Sequence, residues 1–206
     1  MATPRRLGAP DAKNRAVLLA AAERLMLESG YAAVSSRRVA DEAGLKPQLV
    51  HYYFRTMDEL FLELFRRRAE QGLEVQALAL KSDQPLWALW VFSTDPAGAI
   101  FTMEFIALSN HRKELRVEIA RISEQFRTEA SAGIEEVLRR YGVDLEQMPA
   151  VAAIVLMTSI SRVVVMEETL GVREGHAEMI KVVEDYLREL EGEPGPELAE
   201  VLRQRR

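Results

Sequence analysis

The 206-residue chain contains no cysteine. That excludes disulfides, thiolate metal sites and a cysteine nucleophile. Histidine is nearly as scarce, with His51, His111 and His176 alone, and none stands in the Glu-x-x-His spacing of carboxylate di-metal bundles. Glycines never fall into the Gly-x-Gly-x-x-Gly or P-loop patterns that cradle phosphate. The opening MATPRRLGAP has no apolar stretch, so no signal peptide is expected. The most apolar run, 149–166, contains Thr158, Ser159, Ser161 and Arg162 and reads as too polar and too short for a membrane span. Strand-like alternation of useful length and internal repeats are both missing. The expectation is a cytosolic protein with no membrane partner, no cofactor, no metal site and no catalytic constellation.

What is present is material for helices. Hydrophobic residues make up 48% of the chain, enough for a sizeable core. The net charge of −5 is unevenly placed: residues 1–56 hold 9 Lys+Arg against 5 Asp+Glu, the remainder 18 against 27. A basic head on an acidic body suggests that only the head meets a polyanion, although so modest an excess also arises by chance.

Nearly every segment carries the helical period. From Lys13 to Ser29, Val17, Leu18, Ala21, Leu25 and Met26 form one stripe. Asp11 or Asn14 could cap its start, and Gly30 suits the position after its end. A short second helix over 36–43 takes Ser35 or Ser36 as cap and buries Val39, Ala40 and Ala43. Gly44 permits a tight turn, and Pro47 fits the first position of a two-turn third helix. Thr56 and Glu59 form a capping box that opens a fourth helix, with Leu60, Phe61, Leu64 and Phe65 on its buried face, running to near Leu80. Asp83-Gln84-Pro85 and Thr94-Asp95-Pro96 read as further helix starts. Longer helices are expected over 111–141, 145–170 and 174–191. EGEPGPE (191–197) breaks the pattern, and ELAEVLRQRR (197–206) reads as a short loose helix or a frayed tail. The whole is all-α, about nine helices.

Three short helices followed by a capped long one fit a helix-turn-helix head, with the motif at about 35–54. Its second helix, here 47–54, is the one that enters the major groove. Lys46 and the helix N-terminus offer positive charge and free amides. Gln48 can pair bidentately with adenine, and Pro47 and Leu49 can pack on thymine methyls. His51, Tyr52 and Tyr53 can fill the seam with their rings while a nitrogen or hydroxyl reaches phosphate. Phe54 is most simply a core residue. Ser35, Ser36 and Arg37 are placed to meet the DNA backbone, with Arg37 also within reach of a guanine. Polar aromatics also cover core edges, and a serine can merely cap.

Gly30-Tyr31, Ser35, Val39-Ala40, Ala43-Gly44-Leu45, Tyr53-Phe54 and Asp58-Glu59-Leu60 resemble the N-terminal signature of the TetR family of bacterial transcriptional regulators. The resemblance covers about residues 12–72. It implies a DNA-binding head over 12–72, a helical ligand-binding and dimerisation domain over 73–192, and a tail over 193–206. It also implies a homodimer that binds a double-stranded operator and a small-molecule effector, with repression by default. Two positions depart from the family: His51 stands where tyrosine is usual and Met57 where lysine is usual, both typically touching DNA phosphates. His51 can still donate to a phosphate. Met57 cannot, and Arg55 is a candidate to replace it.

The body has residues for both implied roles. Trp87, Trp90, Phe92, Phe101, Met103, Phe105, Phe126 and Met157 could line an apolar pocket, although for each aromatic a plain core role is the better reading, since a helical bundle needs such residues anyway. Thr102, Glu104, His111, Arg121, Thr158 and Arg162 are candidate polar anchors. Arg162 interrupts an apolar run, and could meet a ligand carboxylate, pair with Glu104 or Glu167, or cross a dimer interface. Ile154, Val155, Ile160 and Val164 on one helix, with Val182, Val183, Tyr186 and Leu187 on the next, give wide apolar faces. Two such helices from each subunit could build a four-helix interface. A helical enzyme and a sequence-indifferent DNA-coating protein are the rival classes. The first lacks any recognisable site, and the second is disfavoured by the small charge of the head.

Overall fold

A computed structural model describes residues 13–205. Among the described residues there are ten α-helices, one 3-10 turn and no strand. The candidate cap Asp11 lies outside them, and Asn14 is inside the first helix. The chain divides into two compact units. One runs to Ala69 and takes in Phe101–Ala120; the other comprises Glu70–Ile100 and the chain from Arg121 on.

The first unit begins with α1, Lys13–Ser29, which buries Leu18, Leu19, Ala21, Ala22, Leu25 and Met26. Leu19 joins the expected stripe, while Val17 is only half-buried. Gly30 follows at φ 75°, a conformation that L side chains avoid, and the 3-10 turn Tyr31–Ala33 leads into α2, Ser36–Glu42. The Ser35 hydroxyl caps α2 by accepting from the Arg38 N–H at 3.4 Å. Val39 and Ala40 are buried, and Ala43 becomes the half-buried C-cap. Pro47 opens α3, Pro47–Tyr53, whose Val50 is buried.

The fourth helix, α4, is Met57–Leu80. Its capping is shifted by one residue from the expected box: Thr56 Oγ1 accepts from the Glu59 N–H (3.1 Å), but the Glu59 carboxylate accepts from Arg55 N–H (2.8 Å), not from Thr56. Leu60, Phe61, Leu64 and Phe65 are all buried. Phe101 and Phe105, from α6 (Pro96–Ser109), complete this core. Phe105 packs on Phe101, Phe65 and Phe61 with centroid distances of 4.6, 5.1 and 6.4 Å.

The second unit is built round α5, Pro85–Ser93. Its Leu86, Trp87, Leu89 and Trp90 are buried together with Ile134, Val137 and Leu138 of α7 (Lys113–Arg140), Ile154 of α8 (Ala150–Thr169) and Leu187 of α9 (His176–Glu191). Residues 144–149 do not join α8. The Asp144 side chain accepts from Glu146 N–H (2.9 Å) and its carbonyl from Met148 N–H (2.9 Å), closing turns before Pro149. The tail is folded: α10, Pro196–Gln204, packs Leu198 and Leu202 on the same core. By length and composition α8 is apolar enough to cross a membrane, with mean hydropathy 1.8 over its most apolar stretch, against the expectation that the run 149–166 is too polar and too short. A helix that buries one side in a globular unit has the same composition.

Candidate nucleic-acid interface

Two fully buried side chains decide which way α3 faces. Val50 and Phe54 are each 1% exposed and fix the helix to the unit's core. Arg15 sits over the Phe54 ring at 5.3 Å. Helical geometry then turns the intervening residues outward. Lys46, Pro47, Gln48, His51 and Tyr52 are exposed, and Leu49 and Tyr53 are half-buried. Tyr52 and Tyr53 meet edge to face at 5.0 Å, so the two rings brace one another. Gln48 therefore has an amide in solvent, on the first turn, next to an exposed ammonium.

The start of α2 contributes the second element of this surface. Ser35 and Arg37 are exposed and Ser36 is half-buried. Arg37 lies 3.9 Å from Asp41 one turn on, a loose exposed pair of little energetic weight. Residues named from the sequence thus occupy the start of α2 and both turns of α3, with Lys46, Pro47 and Gln48 at its N-terminus and His51, Tyr52 and Tyr53 in its last turn, and a tight turn at Gly44 (φ 64°) joins the two helices. The backbone links Leu45 N–H to the Ala40 carbonyl at 2.9 Å, which holds the turn. Such an arrangement presents donors, an amide and small apolar surfaces on one short helix, the set that base edges and phosphates require. Arg55 is exposed, whereas Met57 is half-buried and lines a groove of about 280 Å³ with Tyr31, Ser35, Ser36, Leu108 and Arg112.

The residues offered as a ligand pocket fall in different places. Trp87 and Trp90 are in the core of the second unit, with the Trp87 indole N–H donating to the Gly192 carbonyl at 3.0 Å. Phe101 and Phe105 belong to the first unit's aromatic core. Phe126 is half-buried in the second unit, close against Gly72: a Cβ there would come within 2.9 Å of its ring. Met157 is partly buried against the second unit's core. His111 is exposed in the turn before α7. Arg162 is exposed on α8, yet surrounding atoms strip part of its hydration, and that, with the nearby charge of Arg127, lowers its pKa from the usual arginine value. It remains a cation at neutral pH.

Glu104 has a use that its residue type did not announce. Its Oε2 accepts from the Tyr31 N–H at 2.6 Å, against Gly30, so α6 is tied to the turn before α2. Of the apolar face on α8 and α9, Ile154, Val164 and Leu187 are buried within the chain itself. Val155 and Tyr186 are exposed, and Ile160 and Val183 are half-buried. The exposed apolar set also includes Val151, Leu156, Val163 and Met166 on α8 with Met179 and Val182 on α9. The α8 residues lie in the apolar run 149–166 and Val182 on the next apolar face, but the pattern does not fix which side of each helix the core takes.

Residues 18–64 match the family model of the bacterial regulatory proteins, tetR family. No curated protein matches the chain. Among solved structures, the fatty acid degradation regulator FadR from Bacillus halodurans is similar, with a TM-score of 0.65 at 16% identity over 87% of this chain and 96% of that one. FadR from Bacillus subtilis in complex with stearoyl-CoA gives 0.59 at 17% identity, over 87% and 99%. A transcriptional regulator from Rhodococcus sp. Rha1 gives 0.59 at 19%, over 92% and 96%. At these identities the structural likeness speaks for the fold. Residues 18–64 thus resemble the N-terminal domain of the tetR family of bacterial regulatory proteins, and the chain shares its all-helical fold with solved transcriptional regulators.

Proposed function

We propose that the chain is a homodimeric, ligand-responsive, sequence-specific DNA-binding regulator acting in the cytoplasm. In this reading it is a repressor that leaves a near-palindromic operator when a small apolar or amphipathic molecule binds. The observation that carries the reading is α3. Its inner side is locked by Val50 and Phe54 while Lys46, Pro47, Gln48, His51 and Tyr52 stand in solvent. DNA reading is assigned to the first unit and effector binding with dimerisation to the second. The exposed apolar side chains of α8 and α9 support a second copy as partner, because apolar surface of that extent is rare on a monomer. An amphipathic effector is supported by the apolar make-up of the second unit and by the stearoyl-CoA held in the similar Bacillus subtilis FadR.

The mechanism is a population shift. The unliganded dimer holds its reading helices at operator spacing, and an effector that prefers another arrangement of the middle helices lowers DNA affinity. The change is bounded by the effector's differential affinity for the two states. An activator of the same fold would read DNA identically and differ in the sign of control.

The test is selection of bound fragments from a randomised duplex library at near-physiological salt. Enrichment of a palindrome with half-sites one helical turn or more apart is the expected result. Salt-sensitive binding to every sequence alike would instead make the protein a coating factor and sink the proposal.

A further inference from the structure

The groove beside Met57 has one cation in its wall, and that cation comes from far along the chain. Arg112, in the turn between α6 and α7, lines it together with Tyr31, Ser35, Ser36, Met57 and Leu108. Three features define its guanidinium. It is ion-paired with Asp58 in the first turn of α4. It lies over the ring of the buried Phe61, 5.7 Å from the centroid. Its side chain nevertheless keeps 36% of its exposure. A guanidinium carries five N–H donors in a rigid fork, and one carboxylate engages two of them at most. Donors are left over on a plane that Asp58 and Phe61 already hold in place. The neighbouring groups in the groove, Ser35 and Ser36, are those assigned above to the DNA backbone.

We propose that Arg112 makes a phosphate contact to the DNA backbone beside the half-site read by α3, in the groove formed with Ser35, Ser36 and Met57. The inference rests on the DNA-reading function proposed above. An oriented fork suits a phosphate oxygen pair better than a lysine does. Asp58 acts here as a positioning residue: it lowers the local positive charge but fixes the fork. In this arrangement a residue beyond the motif helices takes part in DNA binding, and Met57 forms an apolar wall of the same site.

The experiment measures affinity for the selected palindrome as a function of salt, for the full-length protein and for Arg112→Gln, Arg112→Lys and Asp58→Asn. Each phosphate contact contributes about 0.9 to the slope of log affinity against log salt. Arg112→Gln is expected to lower the slope by about 1.8 for a dimer and to raise Kd roughly tenfold. Arg112→Lys keeps the slope but loses the fork, so Kd rises less. Asp58→Asn keeps the cation and therefore the slope. An unchanged slope in a folded Arg112→Gln protein would overturn the proposal. So would a slope lost equally in Asp58→Asn, because the ion pair would then act only by holding the structure. If the unsubstituted protein selects no sequence, the DNA-reading function itself fails, an outcome distinct from failure of Arg112 alone.

Discussion

At the scale of single residues, Gln48 and Lys46 should separate reading from holding. Both are exposed at the start of α3, but they offer different chemistry. A bidentate amide contact to adenine is worth about 1–3 kcal/mol of discrimination. Gln48→Ala should therefore weaken binding roughly 5- to 150-fold for each half-site and flatten base preference at one position of each half-site. Repeating the fragment selection with the variant shows this directly. Lys46→Ala should weaken all sequences alike and reduce the salt slope, leaving the selected sequence unchanged. If Gln48→Ala selects the same palindrome with equal sharpness, the base contact lies elsewhere on the helix. Val50 belongs to the same seven-residue helix yet answers to a different rule. It is 1% exposed, so Val50→Ala acts through packing and lowers stability, which a melting curve reports, before it touches recognition.

At the scale of elements, the least local feature is the capping of α5. Gln84, its N-cap position, makes no side-chain capping bond. Its amide instead donates to the carbonyls of Glu191 and Glu193, at 3.1 and 2.7 Å. The carboxylate of Glu191, at the end of α9, accepts from the Leu86 N–H (2.9 Å), the Trp87 N–H (3.0 Å) and the Tyr141 hydroxyl (3.0 Å). Burial and the adjacent Glu191 carboxylate raise the Tyr141 pKa, so the phenol stays protonated and donates at neutral pH. Removing the acceptor leaves these part-buried donors without it. Glu191→Ala should lower unfolding stability by about 1–3 kcal/mol, seen as a lower urea midpoint, with Tyr141→Phe costing about 1 kcal/mol. Equal midpoints for Glu191→Ala and the parent would mean that water replaces the carboxylate without loss. The contrast with the first unit shows what a sequence makes legible. The Gly30 stop, the Ser35 cap, Pro47 at a helix start and Thr56 before α4 are signals within four residues of where they act, and each sits where its chemistry asks. The Glu191 cap, the docking of α10, the Glu104–Tyr31 bond and the inclusion of 101–120 in the first unit join residues from about 70 to more than 100 positions apart or depend on packing. No local pattern encodes them. In the candidate site the same division holds. The α2 and α3 residues were readable from spacing, whereas Arg112 is visible only once its turn is placed beside Ser35.

At the scale of the whole molecule, the proposed function needs two copies, and the apolar faces of α8 and α9 are where the second would attach. Leu156 is 50% exposed and Val182 63% exposed, so neither holds the monomer together, and a charge at either position can stay solvated in a folded single chain. In a dimer that buries this face, the same charge loses its water without a partner, which is costly. Leu156→Glu combined with Val182→Glu should therefore halve the mass seen by light scattering while leaving the helical circular dichroism intact. Operator affinity should fall on the order of a hundredfold or more, since the second head no longer benefits from the high effective concentration that linkage gives it. The two readouts constrain one another. A dimer that persists in the double variant places the subunit contact on another face. A monomer that binds the palindrome as tightly as the parent would show that one head suffices. Loss of mass and of affinity together would tie the apolar face of the second unit to the reading of DNA by the first, through symmetry alone and before any effector is known.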